Sequence, residues 1–178
     1  GTLTVQALAV NAVMAGCHPA QMPLLVAAAR ALVEDGFALK NQQATTHPIA
    51  PLLIVGGPAV QVLGIQAGSG TFGPGPWANG ALGRALRLAM LNLGGAQPGE
   101  IDKATLGQPG KFTHCCFAEA EETSAFPPLH VSRGFRADQS VVTLVGVEAP
   151  HSVIATPSGD DPESAERVLR TLAGSIAN

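Results

Sequence analysis

Pro51-Leu52-Leu53-Ile54-Val55-Gly56-Gly57-Pro58 is the stretch on which the fold turns. Five residues without polar alternation, closed by two glycines and a proline, read as a short, fully buried strand followed by a turn. Pro58 then starts a brief helical segment that ends near Gly64. Toward the N-terminus, residues 5–15 read as an apolar helix stopped by Gly16, the residue type that ends helices in the left-handed conformation. Pro19 suits the first position of a second helix, which runs through Leu24, Leu25, Ala28, Ala29 and Leu32. Residues 38–45 read as a strand leading into Thr46-His47-Pro48.

Toward the C-terminus, Asn79 is expected to cap a helix whose Leu82, Ala85, Leu86, Ala89 and Leu93 fall at helical spacing, with Gly94-Gly95 stopping it. Residues 96–111 are loop and turn material, and residues 112–118 and 140–147 read as strands. Asp160-Asp161-Pro162-Glu163 is a helix start, and the closing helix carries Ala165, Val168, Leu169, Leu172 and Ile176 on one face. Strands and helices mix throughout, without internal repeat or linker. The expectation is a single α/β (or α+β) domain over residues 1–178, with a mixed sheet of about four to five strands flanked by helices.

The 178 residues are one domain's worth of chain, long enough to bury about 70% of the unfolded surface. Charged residues make up 13%, about half the usual quarter, and mean hydropathy is +0.25. So few charges imply that part of the surface is covered by another copy, another subunit, or a missing part of the same polypeptide. The start at Gly1-Thr2 fits a fragment or a processed product, and equally a tag remnant. A net charge of −3 without a Lys/Arg cluster gives no footprint for nucleic acid, and six Phe, one Trp and no Tyr leave little for base stacking. No apolar run reaches the ~18 residues of a membrane span. Three cysteines form no disulfide framework, which favours a reducing cytoplasm.

Gly16-Cys17-His18-Pro19 places a thiol at an expected helix start, where the positive dipole end favours thiolate. Cys17 is therefore a candidate nucleophile or redox thiol, with His18 or His47 as its acid/base partner; a buried, inert cysteine is the plainer alternative. Cys115-Cys116 is the second feature: adjacent residues on a strand face opposite ways, so one of them completes a site with Cys17 or both are core. His114 and Cys116 share a face, and Glu119 lies on the Cys115 side of a regular strand. His47, His130 and His151 taken singly are each more often structural than functional.

Gly68-Ser69-Gly70-Thr71-Phe72-Gly73 matches G-x-G-x-x-G as a string, but Pro74 and Pro76 follow at once and no acidic residue stands about twenty positions on. It is no dinucleotide fingerprint. The loop remains a candidate binder of an anionic or amide group, through Ser69, Thr71, Trp77 and Asn79, with Arg84 and Lys111 as its cations. No C-x-x-C or H-x-x-x-H spacing supports structural zinc. No cofactor is expected, and a soft metal at Cys17, Cys115 and Cys116 is the alternative.

Asn11-Ala12-Val13-Met14-Ala15-Gly16-Cys17, Gln43-Ala44-Thr45-Thr46-His47-Pro48, Phe72-Gly73-Pro74-Gly75 and Gly107-Gln108-Pro109-Gly110-Lys111 together resemble a group of bacterial proteins associated with the UGSC-type selenoproteins, described as thiol–disulfide oxidoreductase-like. The resemblance spans residues 5 to about 150 and implies an enzyme-like Cys/His site. The defining selenocysteine-Gly-Ser-Cys motif is absent, so no redox role passes to any residue here. The expected function is a cysteine-dependent enzyme acting on a small polar molecule, as a homo-oligomer or with another subunit. A metal-binding Cys/His protein and a non-catalytic subunit are the alternatives.

Overall fold

The computed structural model describes residues 3–113, 115–153 and 163–176. Three strands form one mixed sheet among the described residues: β1 (Ala50–Gly56), β2 (Cys115–Ala118) and β3 (Val141–Val147), in the order β2-β1-β3. The decisive apolar stretch is the central strand. β2 runs parallel to it, Leu53 opposite Cys116, and β3 runs antiparallel, Leu53 opposite Leu144.

Eight α-helices accompany the sheet among the described residues: α1 (Val5–Ala15), α2 (Met22–Leu32), α3 (Leu39–Ala44), α4 (Ala59–Leu63), α5 (Trp77–Asn92), α6 (Gly110–Thr113), α7 (Leu129–Ser132) and α8 (Glu163–Ile176). The core lies where α1, α2 and α5 meet one face of the sheet. Leu8, Ala12, Leu25, Ala28, Leu82, Ala85 and Leu86 pack there with Leu53 and Val55 of β1 and Cys116 and Ala118 of β2. Helical spacing on α2 and α5 supplies this face, as the sequence predicts. α5 is capped three residues earlier than expected, at Pro76 rather than Asn79, and Leu93 is its half-exposed C-cap.

The sheet has three strands where about four to five were expected. Most of residues 38–45 is helical rather than extended: Ala38 takes a left-handed φ of 51°, Leu39–Ala44 forms α3, and only its C-cap Thr45 is extended. The run Leu39-Lys40-Asn41-Gln42-Gln43 contains no β-branched residue, so a strand had no local support. The 112–118 segment divides in two. α6 ends at Thr113, and β2 keeps only four residues. His114 and the expected helix start at Asp160–Pro162 lie outside the described residues.

Large apolar side chains stay exposed on the outer face of α1 (Val10, Val13 and Met14) and along α8 (Leu169, Leu172 and Ile176). Among the described residues no helix is long and apolar enough to cross a membrane.

Candidate functional site

The turn that carries Cys17 is built by the end of α1. Gly16, at φ 84°, donates its N–H to Val13, and Cys17 donates its own to Ala12, so these two carbonyls of the last turn of α1 are satisfied. The indole N–H of Trp77 donates to the Gly16 carbonyl at 2.6 Å. His18 caps the single 3-10 turn Pro19–Gln21: its Nδ1 accepts from the N–H of Ala20, and its backbone N–H donates to Gln21 Oε1. Cys17 is thus tied to the carbonyl end of α1, and only a short 3-10 turn follows before α2 opens at Met22. Burial outweighs any helix-terminus field there. The thiol is pushed up to about 11, the reverse of the expected direction.

Cys115 and Cys116 follow the strand alternation. Cys116 points into the core at 3% exposure, while Cys115 is half-buried. Burial pushes both thiols up, Cys116 to about 12, with the charges of Cys115 and Cys17 as further contributions. The three thiols are therefore electrostatic neighbours, although far apart in sequence. Cys115 and Cys116 form the floor of a cleft of about 200 Å³ at the outer edge of β2, roofed by residues 71–76 of the glycine-rich loop and flanked by Asn79 and Thr113. Cys17 does not line it.

The loop is braced from within. Asn79 lies inside α5 rather than at its cap, and Pro76 holds the cap position. Its Oδ1 accepts from the N–H of Gln66, and its Nδ2 donates to the carbonyls of Gln66 and Thr71. Thr71 Oγ1 donates to the same Gln66 carbonyl, and Ser69 gives its carbonyl to Gln66 Nε2. The Gln66 carbonyl also accepts from Ala118, which fixes the loop to the free edge of β2. Phe72 completes the attachment edge-to-face on Phe117, with centroids 5.5 Å apart. Asn79 and Thr71 are thus occupied as loop braces, and Trp77 as the anchor of the Cys17 turn.

Arg84 and Lys111 come together, but not beneath the glycine-rich loop. They line a second cleft, of about 700 Å³, between α5 and the 98–112 segment. Its wall includes Arg87 and Asp102, both 4% exposed, which sequence reasoning passed over. Asp102 Oδ2 lies 2.9 Å from Lys111 Nζ and 3.4 Å from Arg87 Nη2. Burial pulls the Arg87 guanidinium down from its ordinary value, and Asp102 pulls it back up. A helical i, i+3 reading of Arg84 and Arg87 was the signal available for this pair.

The expected acid/base residues go elsewhere. His47 pairs with Glu148 at 2.7 Å on the open surface. Glu119 Oε2 accepts from the first N–H of α7, at Leu129, so it serves as a helix cap and not as a partner of Cys115. Glu119, Glu121 and Glu122 line a third cleft, of about 670 Å³, past the carboxyl ends of β1 and β2. His130, 2% exposed, stands 3.4 Å from Glu121 Oε1 beneath Gly56. His151 is exposed.

Among the described residues no group of three or more His, Cys, Asp or Glu side chains is arranged to hold a metal ion. No protein-family model, curated protein or solved structure matches the chain, so nothing beyond its own residues bears on the UGSC-type resemblance.

Proposed function

We propose that the chain acts on a small polar molecule by thiol chemistry, in the cleft at the outer edge of β2. The carrying observation is that Cys115, half-buried, lines that cleft with Cys116 under an internally braced glycine-rich loop. A fixed roof and a thiol floor are what an oriented substrate needs, since positioning supplies much of the rate advantage. Cys17 is an electrostatic neighbour of Cys116 that does not line the cleft, and its place at the end of α1 suits a supporting role better than direct attack. The cleft brings no histidine to Cys115 among the described residues. Burial raises the Cys115 thiol, so the small thiolate fraction is the attacking species. Replacement of Cys115 tests the reading: Cys115→Ser should remove the fast phase of native-state reaction with small electrophiles and leave only the slow labelling of Cys17, while Cys17→Ser should keep the fast phase. Unchanged reactivity in Cys115→Ser would sink the proposal.

A second reading, a non-catalytic subunit of a larger enzyme, draws on two other observations. Burial raises all three thiols, which makes poor nucleophiles, and apolar side chains stand uncovered on α1 and α8. It predicts self-association of the isolated chain and thiols inert until unfolding.

A further inference from the structure

We propose that the cleft between α5 and the 98–112 segment binds a small molecule with an oxyanion head, carboxylate or phosphate, on an apolar body. The head is recognised by charge count and by an unmet donor. Arg84, Arg87 and Lys111 bring three positive charges to the wall, and Asp102 brings one negative charge. Lys111 spends its ammonium on Asp102 and on the carbonyl of Ile49 at 3.0 Å. Arg84 donates to the carbonyl of Phe112 from Nη1. Arg87, its side chain only 5% exposed, keeps Nη1 buried without a partner among the described residues.

A buried guanidinium N–H left unmet is costly. Arg87 lines the cleft, so a small shift of its side chain would offer Nη1 to an acceptor bound there. Two guanidinium groups one helical turn apart present the planar donor geometry that carboxylate and phosphate match. Leu91, Leu106, Pro109 and Phe112 supply the opposite chemistry on the remaining walls. Leu106 is 97% exposed and Phe112 74%, so both would gain cover from an apolar body. The volume of about 700 Å³ lies in the range of small-molecule sites. The site stands on residues outside the thiol cleft and does not depend on thiol chemistry.

The experiment is a backbone and arginine side-chain NMR titration with benzoate, phenyl phosphate, inorganic phosphate and benzyl alcohol. Saturable shifts at Arg84, Arg87, Leu106 and Phe112 with benzoate or phenyl phosphate are expected, and the tighter of the two names the head group. Benzyl alcohol, without charge, and inorganic phosphate, without an apolar body, should each bind at least tenfold more weakly. Arg84→Gln, at the rim, should weaken binding tenfold with the fold intact by circular dichroism, and Arg87→Gln should abolish it. Cys115→Ser should leave it unchanged, which separates this site from the thiol reading. Absence of saturable shifts with both aromatic anions, or undiminished binding in Arg84→Gln, overturns the proposal.

Discussion

The Trp77 indole rests on Gly16 so closely that a Cβ built there would stand 2.6 Å from Cζ2, while the ring N–H donates to the Gly16 carbonyl at 2.6 Å. The first residue of α5 thereby clamps the turn that carries Cys17. Gly16 is also at φ 84°, where an L side chain is strained. Gly16→Ala should cost about 1–3 kcal/mol in urea unfolding and should speed alkylation of Cys17. Unchanged stability would show that the clamp is slack.

Asn79 holds the glycine-rich loop through three backbone contacts while 4% exposed. Asn79→Asp keeps the acceptor for the Gln66 N–H but turns a carboxylate toward two carbonyls. A loss of about 1–3 kcal/mol is expected, with faster labelling of Cys115 as the cleft roof loosens. Wild-type stability and labelling would mean that the loop is held by Phe72 on Phe117 instead.

Asp102 is the one carboxylate between Arg87 and Lys111 in their cleft. Asp102→Asn leaves two cations buried without a counter-charge and should destabilise by about 3–5 kcal/mol. The measurement is the urea midpoint of the variant against wild type. A loss below about 1 kcal/mol would show the charges already satisfied by solvent.

The thiols make stability fall in alkali. Cys17 and Cys116 are raised from 9.0 to about 11 and about 12 in the folded chain. Above pH 9 the unfolded chain has released protons that the folded chain retains, so unfolding gains on folding as pH rises. The stabilisation is full below pH 9 and is lost as pH climbs through 11 to 12. Each thiol contributes at most about 1.4 kcal/mol per pH unit, and less for Cys17, which water partly reaches. Cys116→Ala should flatten the decline in urea midpoint between pH 9 and 11. An equal decline in that variant would assign it to other groups.

Much of the fold was legible because hydrophobic spacing and glycine placement act locally. The buried strand before Gly56-Gly57-Pro58, the stop at Gly16 and the faces of α2 and α5 all follow from such patterns. The strand expected at residues 38–45 failed because a short segment with one left-handed residue gives no periodicity to read. The site was legible only in pieces. Which of Cys115 and Cys116 faces the core depends on their register with Leu52 and Leu53 of β1, a contact more than sixty residues away. Arg84 and Lys111 were singled out as anion binders, but their meeting with Arg87 and Asp102 depends on how the 98–112 segment packs on α5. The backbone contacts of Asn79 and Glu119 were not legible for one reason: a polar side chain that braces backbone looks, in sequence, like one free to bind.

Alkylation of the folded protein with iodoacetamide from pH 7 to 10, each thiol followed by peptide mass mapping, tests the central claim. The account predicts that Cys115 labels first, at a rate rising with pH. Cys17 should follow more slowly, and Cys116 should react only after unfolding. If Cys115 stays unlabelled until the chain is denatured, the thiol cleft is no reactive site and the non-catalytic reading replaces it.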